Sequence, residues 1–203
     1  MPYRKNLLVY VVDDDPSVRR SLCLLLQAHG YMVQSCASGS ELLGAIEATD
    51  PDKPACALLD IRMPGQDGLS LQKQLLEQNV RLPIVILTGH GDVPAAVEAM
   101  KMGAVDFIEK PADEGRLLDA ISAAASVPAG QALPMLSPAE KARRLARLTE
   151  REREVLDHLV MGKINKQIAR DLGISQRTVE VHRSRIREKM EARGLADLIR
   201  MVG

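Results

Sequence analysis

The stretch Ala55–Gly65, ACALLDIRMPG, decides how the rest of the chain is read. A short apolar run ends in Asp60, and Met63-Pro64-Gly65 then turns the chain away. A run this short, bounded by turn residues, fits a strand buried on both faces. Asp60 falls at its carboxyl end, where open α/β sheets hold their ligands. A carboxylate there either caps a turn or reacts, and the neighbouring strands decide between the two.

Upstream, Leu7 to Val12 (LLVYVV) is a second continuous apolar strand, ending at Asp13-Asp14-Asp15 before Pro16. Asp15 makes a good helix N-cap with proline at the first helical position, so one of the three acids has a structural task. Val18, Leu22, Leu25 and Leu26 then keep a helical stripe up to Gly30. Tyr31 to Ser35 reads as a strand and Ser38 to Ala48 as a helix. Downstream, Ile84 to Leu87 is a strand running into Thr88, and Val105 to Ile108 is another, running into Glu109-Lys110-Pro111. Helices fit Leu69 to Gln78, Pro94 to Met102 and Glu114 to Ala125. Five apolar strands alternating with five helices predict an α/β fold, a five-stranded parallel, doubly wound sheet. Right-handed crossovers carry every strand's carboxyl end to one edge. That edge gathers Asp13, Asp14, Asp60, Thr88 and Lys110.

Three crowded carboxylates repel one another unless a cation neutralises them. A few hard oxygen ligands with room for water and phosphate suit Mg²⁺ better than a transition metal. A carboxylate can act as nucleophile toward phosphorus, giving an acyl phosphate. A magnesium ion and a lysine would stabilise charge on the transferring oxygens, and Thr88 adds a hydroxyl donor.

These residues resemble a known family. VVDDD, LLDIRMPGQDG, ILTGHGD and FIEKP together are similar to the receiver domain of a two-component response regulator, over about residues 5–126. The resemblance implies strand order 2-1-3-4-5 and phosphorylation of Asp60 by a histidine kinase. It implies that Asp13 and Asp14 hold Mg²⁺ with Asp60 and the backbone carbonyl of Arg62. Thr88 and Phe107 would be the switch pair, and Lys110 would contact phosphate before a cis Pro111. Arg62 and His90 are expected to influence how long the phosphoryl group survives. The chain departs from the family in a long Thr49–Pro54 segment and in Ala112, where phenylalanine is common.

Composition divides the molecule. Formal net charge is zero, but residues 1–136 hold 11 Lys and Arg against 17 Asp and Glu, whereas residues 137–203 hold 16 against 10. An acidic half joined to a basic half predicts two domains with different partners, the basic one suited to nucleic acid. Cys23, Cys36 and Cys56 are irregularly spaced and read as free buried thiols of a reducing compartment. The first apolar run is too short for a cleavable signal and nothing approaches a membrane span, so the expected chain is soluble and cytoplasmic, without a membrane partner. Pro128, Gly130, Pro134 and Pro138 mark a linker, and Ser137-Pro138-Ala139-Glu140 is a helix-starting capping box. The basic stretch Lys141 to Arg147 that follows reads as a solvated helix face or a contact to DNA phosphates. The expected organisation is residues 1–126 as receiver, 127–143 as linker and 144–203 as DNA-binding domain.

In the basic half, Thr149-Glu150-Arg151-Glu152 is a second capping box, opening a helix that Gly162 ends. Asn165 to Leu172 is a short helix, Gly173-Ile174-Ser175 a tight turn, and Ser175 caps a third helix to about Met190. Two short helices across a glycine-containing turn form a helix-turn-helix. At about 100° per residue, Val179, Ile186 and Met190 share the core side of the third helix. Arg177, Glu180, Val181, Ser184 and Glu188 share the other. An apolar Val181 on an exposed face suits a thymine methyl in the major groove.

LTEREREVL, NKQIARDLGIS and RTVEVHRSRIREKM resemble the LuxR-type helix-turn-helix of the NarL/FixJ class. That resemblance puts Glu180, Val181 and Ser184 on base edges. Lys166, Gln167, Arg177, Thr178, His182 and Arg183 would hold phosphates or frame the helix. The apolar stripe Leu195, Leu198, Ile199 and Val202 completes the domain core or pairs with its twin. The combined reading is a DNA-binding transcriptional response regulator of a two-component phosphorelay, not an enzyme, switched by a histidine kinase at Asp60. It would act on double-stranded promoter DNA as a homodimer when phosphorylated. Two alternatives stay open: a phosphorylation-independent DNA-binding regulator, and an aspartyl-phosphate phosphotransferase.

Overall fold

The computed structural model describes residues 6–89, 93–127, 137–192 and 194–202. Strands β1 (Leu8–Val12), β2 (Met32–Cys36), β3 (Ala55–Asp60), β4 (Ile84–Thr88) and β5 (Asp106–Glu109) form one sheet, ordered β2-β1-β3-β4-β5. Every pairing is parallel, as the apolar runs and intervening helices require. The connecting helices are α1 (Pro16–Ala28), α2 (Gly39–Glu47), α3 (Gly68–Glu77), α4 (Val93–Lys101) and α5 (Glu114–Ala125). Short side chains start four of them. Asp15, Ser38, Asp67 and Asp113 each accept backbone N–H groups at the N-terminus of α1, α2, α3 and α5 respectively.

The chain falls into two compact units. One holds the sheet with α1, α2, α3 and α5; the other holds α4 and the C-terminal helices, where α4 packs against the last of them. Within the first unit, Val9, Val11, Leu58, Val85 and Leu87 meet Leu22 and Leu26 of α1 and Leu117, Ile121 and Ala124 of α5. The alternate residues Leu8, Tyr10, Val12, Ala57, Leu59 and Ile86 are buried as well, so β1, β3 and β4 carry no solvent-facing side. The edge strand β2 does, with Met32, Gln34 and Ser35 exposed. Cys36 and Cys56 are buried and Cys23 half-buried, all as free thiols. Burial pushes the Cys56 thiol up to about 12 and the Cys36 thiol to about 11, leaving both protonated and inert.

In the second unit, α6 (Pro138–Ala146), α7 (Glu150–Val160), α8 (Asn165–Leu172), α9 (Gln176–Met190) and α10 (Leu195–Val202) enclose a core. It is built on Val155, Leu156, Leu159, Ile168, Val179, Ile186, Met190 and Leu198. Ser137 caps α6, and the Thr149/Glu152 capping box opens α7. Of the predicted linker prolines and glycine, Pro128, Gly130 and Pro134 lie outside the described residues. The basic stretch in α6 keeps Arg143 and Arg147 on an exposed face, as one expectation had it, while Lys141 and Arg144 take a role that neither expectation gave them. Lys141 donates to the Val202 carbonyl at 2.9 Å and Arg144 to the Met190 carbonyl at 2.7 Å. Arg144 and Arg147 also pair with Glu191. Cations thus sit on the carbonyl ends of α9 and α10, where the helix dipole favours them.

Candidate functional site

The carboxyl ends of β1, β3 and β4 converge, and β5 delivers Lys110 beside them. Asp13 follows β1, where its amide donates to the Cys36 carbonyl at 3.3 Å, and Asp60 ends β3. Ligand oxygens of Asp13, Asp14 and Asp60 lie within 4.8 Å of one another. Asp13 and Asp60 are buried, whereas Asp14 is exposed. Lys110 reaches in from just beyond β5, its Nζ at 2.6 Å from Asp13 Oδ2 and 2.9 Å from Asp60 Oδ2. Its own amide donates to the Thr88 carbonyl at 2.7 Å, and the Lys110–Pro111 peptide is cis.

Burial drives the electrostatics. Loss of solvent raises the Asp60 carboxyl above the ordinary aspartate value, and the Asp13 charge adds to the rise; Lys110 and the Arg62 amide pull the other way. For Lys110, burial disfavours the ammonium, but hydrogen bonds to Asp13 and Asp60 outweigh it and the pKa is raised. One lysine therefore stands between two carboxylates, with a third beside them. That excess of negative charge, carried by hard oxygens and open to solvent through Asp14, fits a small divalent cation such as Mg²⁺.

The turn after Asp60 depends on glycine. Gly68, at the start of α3, donates to the Ile61 carbonyl at 2.8 Å, and a Cβ there would lie 2.3 Å from the Asp60 carbonyl oxygen. Only a residue without a side chain lets α3 close this near to the Asp60 backbone.

The other expected residues sit around this centre less tightly. Thr88 is buried, and its hydroxyl donates to the Gly89 carbonyl at 3.2 Å rather than to Asp60. Phe107 is half-buried on β5, in register with Ile86 and outside the cluster that α1 and α5 cover. The Arg62 amide touches Asp60, which places its peptide at the site. His90 lies outside the described residues. Sequence reading missed Arg19. Its Nη1 donates to the Asp13 carbonyl at 2.6 Å and to the Asp14 carbonyl at 2.9 Å. The adjacent Arg20 is exposed, and no pattern in the sequence separates the two.

In the other unit, α8 and α9 pack across Gly173, which takes the left-handed conformation at φ +63°. Val179, Ile186 and Met190 of α9 are buried. Arg177, Glu180, Val181, Ser184 and Glu188 are exposed, with Val181 44% exposed. Lys166 and Gln167 are exposed on α8. Several candidate phosphate contacts already have partners inside the unit. Gln167 Oε1 accepts from the Ile164 amide, the Thr178 hydroxyl meets Ser175, and Arg183 donates to Asn165 Oδ1. His182 is half-buried, with Nδ1 buried and no partner for it among the described residues. Among the described residues neither Lys166 nor Arg177 forms an ion pair, leaving both charges outward.

Comparison with known proteins gives two family matches that follow one another along the chain. Residues 9–122 match the response regulator receiver domain, and residues 146–202 match the luxR family of bacterial regulatory proteins. The transcriptional regulatory protein FixJ of Azorhizobium caulinodans is 45% identical over 197 residues, covering 97% of this chain and 92% of its own length. Full-length FixJ from B. japonicum has a similar structure, with TM-score 0.53, 41% identity and coverage of 96% and 94% of the two chains. The response regulator StyR gives TM-score 0.56 at 40% identity, with coverage of 97% and 98%. No helix among the described residues is long and apolar enough to cross a membrane.

Proposed function

The chain belongs to the FixJ-like response regulators, which join a receiver to a luxR-type DNA-binding domain, and from that membership we propose that Asp60 is the residue phosphorylated. It is a phosphorylation-regulated transcriptional regulator that binds DNA, in a family of regulators and not of enzymes. The observation that carries the assignment of Asp60 is the convergence of Asp13, Asp14 and Lys110 on its carboxylate. The donor is a histidine kinase's phosphohistidine: the phosphorus–nitrogen bond breaks as an Asp60 carboxylate oxygen bonds to phosphorus, the electron pair goes to the ring nitrogen, and that nitrogen takes a proton from solvent so that neutral imidazole leaves. Mg²⁺, held by Asp13, Asp14, Asp60 and the Arg62 carbonyl, would offset the charge on the phosphoryl oxygens. Lys110 shifts from pairing carboxylates to pairing a phosphoryl oxygen. The Thr88 hydroxyl leaves the Gly89 carbonyl for another, and Phe107 repacks behind it.

The DNA surface is the exposed side of α9, with Glu180, Val181 and Ser184 toward base edges and Lys166 and Arg177 on phosphates. Gln167, Thr178, His182 and Arg183 frame that surface. The working domains are the receiver at 1–126, a linker at 127–143 whose last residues already form the start of α6, and the DNA-binding domain at 144–203, in a protein of the cytoplasm. Phosphorylation favours a homodimer that sets two DNA-binding domains on adjacent half-sites of a promoter, raising their effective concentration. Incubation with a small phosphodonor and Mg²⁺, followed by peptide mass spectrometry, tests the acceptor. Label on the peptide containing Asp60 is expected, and label elsewhere overturns the assignment.

A further inference from the structure

The acidic pocket is held by two cations, and they act on different atoms. Lys110 sits on carboxylate oxygens of Asp13 and Asp60, the atoms a divalent ion would use. Arg19 instead binds backbone. Its guanidinium takes the carbonyls of Asp13 at 2.6 Å and Asp14 at 2.9 Å, and its own amide donates to the Asp15 carbonyl at 3.0 Å. One residue thereby collects three successive carbonyls of the acidic run. The run is also braced from within, since the Asp15 amide donates to Asp13 Oδ1 at 2.9 Å and the Asp15 carboxylate caps α1. Past Val12 the β1 register has ended, and among the described residues the one backbone bond left to the sheet there is from the Asp13 amide to the Cys36 carbonyl at 3.3 Å.

We propose that Arg19 is the positioning residue of the metal site, a backbone clamp that holds the Asp13 and Asp14 carboxylates in ligand geometry without occupying a ligand atom. It rests on the reading of Asp13, Asp14 and Asp60 as a Mg²⁺ site. The two cations then have opposite consequences. Lys110 competes with the incoming ion for Asp13 Oδ2, whereas Arg19 organises the ligands in advance and stays in place when the ion arrives. Preorganisation of this kind lowers the ordering cost of binding, and outer partners that orient metal ligands are worth about 10–100-fold in affinity. Both bonds leave one nitrogen, Nη1, through its two N–H groups, and the planar guanidinium holds those two donors in a fixed geometry, whereas the ammonium of a lysine rotates freely on a flexible stem.

The test is Mg²⁺ binding to the full-length chain by titration calorimetry, without phosphodonor, in wild type, Arg19→Ala, Arg19→Gln, Arg19→Lys and Arg20→Ala. Arg20 supplies the control, since it is exposed and carries the same charge one residue away. Expected is about tenfold weaker binding in Arg19→Ala, intermediate loss in Arg19→Gln and Arg19→Lys, and a change under twofold in Arg20→Ala. The rate of phosphorylation by a small phosphodonor should need more Mg²⁺ for half-saturation in the Arg19 variants yet reach the same plateau. Should Arg19→Ala fail to fold, the glutamine and lysine variants carry the comparison. Equal binding by the Arg19 and Arg20 variants overturns the clamp and leaves the metal site standing. A lowered plateau with unchanged Mg²⁺ binding also overturns it. Wild type that binds no Mg²⁺ overturns the site itself.

Discussion

The pocket at the end of the sheet and the outer face of α9 place charge in opposite ways. In the pocket, Asp13, Asp60 and Lys110 come from three distant parts of the chain into a desolvated space. On α9 and the neighbouring α8, Lys166, Arg177, Glu180, Val181 and Ser184 stand in water. On the proposed function, burial makes each pocket residue indispensable, because a single Asp60 oxygen would perform the reaction and its partners could not be replaced from solvent. Exposure distributes the other task, so every contact to DNA is worth a little and none is worth everything. Substitutions in the pocket should therefore act abruptly, and those on the α8 and α9 face by degrees.

The widest gap should appear at Asp60. Asp60→Asn is expected to lower labelling by a phosphodonor with Mg²⁺ by 100-fold or more, about 2.7 kcal/mol or above, with the circular dichroism spectrum unchanged. Next comes Gly68→Ala, whose methyl would meet the Asp60 carbonyl. A loss of about 2–3 kcal/mol in urea unfolding is expected, the upper range for overpacking, and an unchanged midpoint would mean that α3 can retreat freely.

Graded effects belong to the other surface. Arg177→Ala and Lys166→Ala should each weaken DNA binding about three- to tenfold on every sequence and lower the salt slope by about 1. If either abolished binding outright, the contrast between the two regions would fail. Val181→Ala should leave overall affinity within a few fold and instead relax preference for thymine at one position, seen by selection from random DNA.

A buried pair within the DNA-binding unit gives the smallest effect and a check on the contrast. Glu152 is 2% exposed and meets Lys189 at 2.7 Å while closing the Thr149 capping box. Burial alone would raise its pKa, but Lys189 and the Thr149 hydrogen bonds outweigh that and lower it from 4.5. A lowered acid stabilises the fold above its unfolded value and loses that contribution as pH falls through the folded value. Glu152→Gln keeps the capping geometry and removes the charge. It should cost about 1 kcal/mol at pH 7, and the deficit against wild type should vanish as the pH drops below 4.5. A deficit independent of pH would assign the loss to packing.

Legibility followed the same division. The strand runs, the caps at Asp15, Thr149 and Ser175 and the breaks at Gly162 and Gly173 are local, and a local pattern is what one sequence carries. The acidic edge was legible because parallel crossovers send every strand end to one side, so chain order alone groups Asp13, Asp60 and Lys110. The inward and outward faces of α9 followed from helical period. Roles set by tertiary approach were not legible. Arg19 and Arg20 look alike until one folds back on the strand end. The basic run of α6 reads as surface until Lys141 and Arg144 are found on the carbonyls of α10 and α9. Arg183 reads either as a phosphate contact or as a residue framing the helix, and its bond to Asn165 follows only from the approach of α8 to α9.

Control of DNA binding through Asp60 is decided by the DNA affinity of the full-length protein, before and after treatment with a phosphodonor and Mg²⁺, in wild type and Asp60→Asn, on a site selected from random DNA. Tighter binding after treatment in wild type alone is the expected result. The same response in both proteins, or in neither, would contradict control of the DNA-binding surface through Asp60.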